Sequence, residues 1–263
     1  VIRLLHLSDT HFGTEVDDVI QAFWSRATEL APNVVVCSGD ITQRARTEEF
    51  ERAAAFFRRF GDVPRVTIPG NHDIPLWNVW ERFTRPYARY ESKFGALETT
   101  LETPLLTLVA LNTTHPLRHK HGYVSPEQVE RTSHHLRRST DGQLRVVVTH
   151  QPLYVEAASD VQNQLRGNAL AAQNWAESGA DLVLGGHIHL PYFRPVPETF
   201  GVSRSFWVAQ AGTALSARVR SNAPNSFNMI HWDGNQCHLE RWDFEPDTAT
   251  FERRVRIAMP ITR

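Results

Sequence analysis

Gly70-Asn71-His72-Asp73 sets an amide, an imidazole and a carboxylate side by side, directly after an apolar run from Arg65 to Ile68 that Pro69 ends. Polar chemistry so concentrated at the end of a buried strand rarely serves packing. The pattern recurs at four more strand ends: Asp9-Thr10-His11, Gly39-Asp40, His150 and Gly186-His187-Ile188-His189. Two carboxylates, an amide and several histidines suit a borderline ion such as Mn, Fe or Zn rather than Ca or Mg. Seven ligands of these kinds are too many for one tetrahedral ion. Two ions sharing one carboxylate would use them all. Such pairs, about 3.5 to 4 Å apart, clamp a phosphoryl group from both sides. Water at a centre of this kind ionises near pH ~7 instead of ~15.7, and the hydroxide attacks phosphorus in line without a protein base.

Alone, each piece is ordinary. Asp-X-His is usually a surface pair or a cap, and Gly-Asp is usually a turn. Gly-His-X-His puts two imidazoles on one side of an extended segment, a ligand-like spacing. The conjunction of all five, in order and each at a strand end, carries the argument. In open parallel sheets that edge is where ligands bind.

The elements that must deliver these residues can be read in order. Ile2 to Leu7 reads as a strand. Val16, Val19, Ile20, Phe23, Trp24, Ala27 and Leu30 then recur at helical spacing, and Pro32 stops the run. Val34 to Cys37 is a continuous apolar strand. A second helix starts near Thr47 as its cap, buries Phe50, Ala53, Ala54, Phe57 and Phe60, and leaves through Gly61. With Arg65 to Ile68 the order is strand, helix, strand, helix, strand, which predicts a parallel sheet with right-handed crossovers. Residues 77–97 interrupt it. Trp77, Trp80, Phe83, Tyr87, Tyr90 and Phe94 form a stripe expected to pack on the body; the alternative is a cap over the site.

Glu98 to Glu102 and Leu105 to Leu111 read as a hairpin. Ser125-Pro126-Glu127-Gln128 opens a helix that runs to about Arg138. Leu144 to Val148 is another apolar strand, Ala169 to Glu177 a helix, and Asp181 to Leu184 a short strand. Ser205 to Gln210, Phe227 to Trp232, Gln236 to Phe244 and Thr250 to Ile257 read as β, with Asp233-Gly234-Asn235 as a turn, and are expected to form a second, largely antiparallel sheet. No linker or repeat divides residues 1–263, so a single domain is expected.

The bulk composition excludes little and points nowhere exotic. The chain has 263 residues, a net charge of −1, and apolar and charged fractions of 41% and 22%. A neutral chain without a basic tract argues against a stable nucleic-acid partner. No apolar run approaches the ~18 residues of a membrane span, and no leader-like stretch precedes Val1, so the cytoplasm is the expected compartment. Two cysteines, Cys37 and Cys237, set no disulfide framework. The sequence leaves a homo-oligomer open.

Asp9-X-His11, Gly39-Asp40, Gly70-Asn71-His72-Asp73, His150 and Gly186-His187-X-His189 resemble the calcineurin-like metallophosphoesterases, most of all the bacterial class III cyclic-nucleotide phosphodiesterase branch. Gly122 to Gln128 and Ala211-Gly212-Thr213 extend the resemblance more weakly. It implies an α/β fold, a four-layer α/β/β/α sandwich of two mixed sheets flanked by helices. It also implies that Asp9, His11, Asp40 and His189 hold one ion, and that Asp40 bridges to a second held by Asn71, His150 and His187. His72 would then be the catalytic residue, a proton donor to the leaving oxygen or a stabiliser of developing charge. Asp73 would orient His72, or cap its own turn. The lipid A pathway branch typically has Arg where His72 stands, which counts against a sugar-lipid pyrophosphate.

The expected activity is hydrolysis of cyclic nucleotides or other small phosphodiesters by a dinuclear Mn, Fe or Zn centre. The alternatives are a phosphomonoesterase, pyrophosphohydrolase or nuclease on the same site, and, more remotely, a non-catalytic scaffold. His6 is expected to be a strand residue, His134 and His135 to lie on a solvated helix face, and His231 and His238 in the late sheet. His115, His119 and His121 share a polar loop, from which His121 could reach the pocket mouth. Arg218 and Arg220 are candidates for a second phosphate.

Overall fold

The computed structural model describes residues 1–118, 120–220 and 223–262. Strand and helix alternate as the periodicity predicts: β1 (Ile2–Leu7), α1 (Asp17–Leu30), β2 (Val34–Cys37), α2 (Thr47–Arg58) and β3 (Arg65–Thr67). The three strands pair in parallel. Their alternation splits the side chains between two layers. Leu5, Leu7, Val35 and Cys37 join Phe23 of α1 and Phe50 and Phe57 of α2, while Leu4, Val34 and Val36 face the other way. α1 stops where Ala31 turns left-handed (φ 45°) and its N–H returns to the carbonyl of Ala27. α2 is not capped by Thr47, which is its first helical residue. The buried Glu49 carboxylate reaches back instead, accepting from the N–H groups of Arg44 at 2.8 Å and Arg46 at 3.2 Å. A carboxylate there meets the unpaired donors and the positive end of the helix at once.

After β3 come two short helices, α3 (Val79–Thr84) and α4 (Ala88–Phe94), then β4 (Thr99–Thr103), β5 (Leu106–Ala110), α5 (Pro126–Arg138), β6 (Leu144–Val148), α6 (Asn168–Glu177), β7 (Leu182–Gly185), β8 (Tyr192–Pro195), β9 (Trp207–Gln210), β10 (Ser226–Trp232), β11 (Cys237–Glu245) and β12 (Thr250–Met259). The strands form two six-stranded sheets, β12-β11-β10-β1-β2-β3 and β4-β5-β6-β7-β9-β8. The sheets pack face to face through Leu4, Val34, Val36 and Ile230 on one side and Leu108, Val146, Val148 and Leu184 on the other. α1, α2 and α4 cover the first sheet, and α5 and α6 cover the second through Val129, Leu136, Ala172 and Trp175. This is the α/β/β/α sandwich. No helix among the described residues is long and apolar enough to cross a membrane. Cys37 and Cys237 are both free and lie on opposite faces of the first sheet.

Two expectations need correction. Of the four late strands only β9, expected over Ser205 to Gln210, joins the second sheet, where it pairs in parallel with β7; β10 pairs antiparallel with β1, Leu5 opposite Met229, so β10 to β12 extend the first sheet. The second sheet comes mostly from the middle of the chain and includes β8, a short strand that the apolar pattern does not predict. β10 is buried almost throughout, as an interior strand must be, and the free edge of β1 supplies its partner. The second correction concerns the aromatic insertion. Arg85-Pro86 breaks it into two helices, so its stripe is discontinuous. α4 packs as expected: Tyr90 is fully buried, its hydroxyl 2.8 Å from Thr67 Oγ1, and Phe94 meets Phe50 and Phe57. α3 buries nothing, and Trp77 and Trp80 are 78% and 79% exposed.

The two halves of the insertion therefore differ in what they hold together. Trp80→Gln should shift urea-unfolding stability by less than ~0.5 kcal/mol. Tyr90→Ala should cost ~3 kcal/mol or more, the range for emptying a buried aromatic site. Equal costs at the two positions would contradict the packing described.

Candidate metal centre

The candidate ligands sit just past the C-terminal ends of parallel strands of both sheets. Asp9 and His11 follow β1, Asp40 follows β2, Asn71 follows β3, His150 follows β6, and His187 and His189 follow β7. All seven expected residues come together there. Two trios stand out: Asp9, His11 and His189, and Asp40, His150 and His187, each with its donor atoms within 4.8 Å of one another. In the first, His11 Nε2 lies 3.7 Å from Asp9 Oδ1 and 3.2 Å from His189 Nε2, which is 3.1 Å from Asp9 Oδ1. Donors held ~2.1 Å from one ion lie roughly 3 to 4 Å apart. In the second, His150 Nε2 is 3.4 Å from Asp40 Oδ1 and 3.3 Å from Asn71 Oδ1. The other Asp40 oxygen, Oδ2, is 3.9 Å from His11 Nε2, so one carboxylate faces both trios. Asp9 Oδ1 is fully buried, and His189 Nε2 faces it at 3.1 Å without the alignment of a hydrogen bond, as two ligands of one ion would. The donor set fits two borderline ions.

The backbone bends unusually to make this cluster. Asp9, His11, Asp40, His187 and His189 all have left-handed backbones, with φ between 42° and 72°. They are five of the eight such non-glycine residues among those described. Each costs about 1–2 kcal/mol over an ordinary conformation, and such strain gathers at functional sites. Two glycines let the strands converge. A Cβ on Gly70 would stand 2.1 Å from both N and Oδ1 of Asp40, and one on Gly186 would stand 1.8 Å from Ser8 Oγ.

Hydrogen bonds to the backbone fix which ring nitrogen faces inward. His150 Nδ1 donates to the Ser38 carbonyl at 2.8 Å and His189 Nδ1 to that of Arg218 at 2.6 Å, leaving each Nε2 to the centre. The N–H of His187 donates to Asp9 Oδ2 at 2.9 Å and that of His72 to Asp40 Oδ1 at 2.8 Å. Burial pushes the carboxyls of Asp9 and Asp40 up, but the neighbouring imidazoles, His189 and His150 first, outweigh it and hold both below the ordinary range. Burial lowers His11 to about 3 against the pull of Asp40 and Asp9, and lowers His187 to about 3, so both rings are neutral, as ligands must be. For His150 burial lowers the pKa too, but Asp40 wins and raises it to about 9.

His72 faces the cleft without joining either trio. Its Nδ1 donates to the Gln43 carbonyl at 2.9 Å, and Arg218 Nη1 lies 3.1 Å from Nε2. The Asp73 carboxylate makes no hydrogen bond to the His72 ring. It accepts from the N–H groups of Gly70 (2.8 Å), Ile41 (3.0 Å) and Thr42 (2.7 Å) and from Thr42 Oγ1 (2.8 Å), so it locks the loops after β2 and β3 together. Of the two roles open to Asp73, the structure has the turn-capping one.

The cleft above the centre, about 360 Å³, is lined by Asn71, His72, His187 and His189 and by Lys120, Asp160, Asn163, Arg218 and Arg220. Residues 77–97 contribute no wall. Lys120, Asp160 and Asn163 escaped the sequence reading, because a single polar residue in a loop carries no spacing signal. His121 stays outside the lining, its Nδ1 bonded to the Gln162 carbonyl at 3.1 Å. His115 is exposed, and His119 lies outside the described residues. His6 is a buried strand residue bonded to Ser38 Oγ at 2.9 Å, and burial lowers it to about 3.

An ion can bind His150 only after displacing its proton. Metal uptake at pH 7 should therefore release about one proton from His150, and affinity should rise with pH up to about 9 and flatten above it. Calorimetry in buffers of different ionisation enthalpy reads this directly; uptake independent of buffer and pH would contradict the pairing. In the ion-free protein the His150–Asp40 pair stabilises the fold fully below the ordinary value of 6.5, and this is lost as pH rises through about 9.

The family model for calcineurin-like phosphoesterases matches residues 2–191. A sequence search of curated proteins finds no significant match. Among solved structures, the chain is similar to a purple acid phosphatase from yellow lupin, with a TM-score of 0.70, 11% identity and 98% of this chain covered. The chain spans 53% of the length of that enzyme. It is also similar to Vps29 from Entamoeba histolytica complexed with Zn, with a TM-score of 0.52, 12% identity, and 98% and 100% of the two chains covered. The Escherichia coli phosphoesterase Yfce aligns at a TM-score of 0.50 and 12% identity, over 98% and 100% of the two chains. At these identities the structures speak for the fold alone, and the fold is the metallo-dependent phosphatase sandwich. With the family model spanning the five motif-bearing strand ends, the chain belongs to the calcineurin-like phosphoesterase family.

Proposed function

We propose that the chain is a dinuclear metal-dependent phosphodiesterase acting on small phosphodiesters, cyclic nucleotides among them. The observation that carries this reading is the pair of ligand trios meeting across Asp40. Asp9, His11 and His189 would hold one ion, and Asn71, His150 and His187 the other, with Asp40 shared. When bound, such ions polarise a phosphoryl oxygen and make a nucleophile available near neutral pH. The preference for a diester rests on the resemblance carried by Gly186-His187-X-His189 together with His72. A scaffold that had lost the chemistry should have lost ligands, and all seven are present and gathered.

The chain's own residues divide the remaining work. Backbone carbonyls hold His150 and His189 with Nε2 inward, so the donors are preorganised. His72 is the proposed catalytic side chain. Its Nδ1 proton is committed to Gln43, so any proton given to a leaving oxygen must sit on Nε2, the atom beside Arg218. Arg218 and His72 present their polarity to the same volume, which also suits stabilisation of charge on the phosphoryl oxygens.

Two measurements separate these roles. The Mn-loaded chain should hydrolyse bis-p-nitrophenyl phosphate, and complete inactivity with both sites loaded would overturn the diesterase reading. If His72 is the proton donor, His72→Ala should lose about 10²- to 10⁴-fold on an alkyl leaving group and much less on p-nitrophenolate. Equal losses on the two esters would remove the donor role and leave charge stabilisation.

A further inference from the structure

Beyond the residues around the ions, the cleft has a second wall. Arg218 uses Nη1 to donate to Gln43 Oε1 at 3.0 Å and to meet His72, and its carbonyl accepts from His189 Nδ1. Arg220 uses Nη1 to donate to Asp160 Oδ2 at 2.9 Å and to the Ile188 carbonyl at 3.3 Å. Ile188 lies between His187 and His189, so Arg220 is tied to the loop that carries two candidate ligands. In both arginines, Nε and Nη2 have no partner among the described residues. Lys120, exposed on the same cleft, has no polar partner among them either.

These contacts hold each guanidinium by one nitrogen and leave the rest of the fork free. An arginine on a solvated turn needs no such tether. Three cations on this wall face one carboxylate, Asp160, which is itself buried and engaged with Arg220; the cleft's other carboxylate, Asp40, lies at the candidate ion pair. The charge of one bound phosphate would be met at the ions and by His72, so the wall has cationic capacity left over. Guanidinium forks match phosphate oxygens in pairs, and the cleft is near the lower end of the ~300–1,000 Å³ typical of small-ligand sites.

We propose that Arg218, Arg220 and Lys120 form an anion subsite for a second phosphate, so that the preferred substrates are phosphodiesters carrying two phosphate groups. This rests on the phosphodiesterase reading above and narrows its substrate class. The scissile phosphate lies at the ion pair, and the second is bound intact on the wall. Arg218, beside His72, spans the two positions.

Binding tests the subsite without relying on turnover. Thymidine 3′,5′-bisphosphate and thymidine 5′-phosphate should be titrated calorimetrically into the Mn-loaded chain. The second phosphate should tighten binding by about tenfold or more, the size expected for a charge-assisted hydrogen bond. The advantage should fall towards unity in Arg220→Gln and shrink in Lys120→Gln, whose exposed position leaves folding intact. Equal affinities in the wild type, or an advantage unchanged in both variants, would overturn the proposal. Turnover of thymidine 5′-(p-nitrophenyl phosphate), run in parallel, reports on the parent reading. Turnover with equal affinities sinks the subsite alone; a tenfold preference without turnover sinks the diesterase reading and keeps the subsite.

Discussion

One buried carboxylate governs this structure. Asp40 sits where the C-terminal edges of two sheets meet and turns one oxygen towards His11 and the other towards His150. Two buried acids, Asp9 and Asp40, would oppose folding if left alone, since burial penalises their charge. Imidazoles and backbone N–H groups offset that penalty, and bound ions would offset it further. Much of the nearby oddity follows from bringing the acids together: the left-handed residues in three ligand loops, the side-chain-free approach at Gly70 and Gly186, and the Asp73 clasp that ties two loops.

The sheets exist to hold these loops in register. β1, β2 and β3 present one row of loops and β6 and β7 the other, and the apolar layer between the sheets fixes how far apart the rows stand. A ligand set drawn from five strand ends can stay still only if that layer is rigid. The loops themselves are free to vary, which is how chains about 11% to 12% identical keep one sandwich; on the subsite proposed above, substrate choice would lie in loop residues such as Lys120, Arg218 and Arg220 rather than in the sheets.

Much of this was legible in the residues. The candidate ligands could be singled out because their side chains suit a metal and because strand ends are readable from apolar runs; their division between two ions came from the family resemblance. The long stripes of α1 and α2 could be placed because helical periodicity is a strong signal. Pairing partners could not be read: the alternation of β10 fits either sheet, and only the free edge of β1 decides it. The split fate of the insertion was equally hidden, since Trp80 and Tyr90 are both large aromatics and only the tertiary contact with Thr67 separates them. Asp73 was ambiguous because a short acidic side chain can cap its own turn or orient a neighbour. Left-handed backbones at Asp and His leave no mark in a sequence.

The sharing of Asp40 is tested most directly by counting ions. After loading with Mn and dialysis, elemental analysis of the wild-type chain should find about two ions per chain. His150→Ala and His189→Ala, each disturbing one trio, should keep about one, and Asp40→Ala should fall below both. A wild-type chain that holds no ion, or an Asp40→Ala chain that still holds two, would contradict the account.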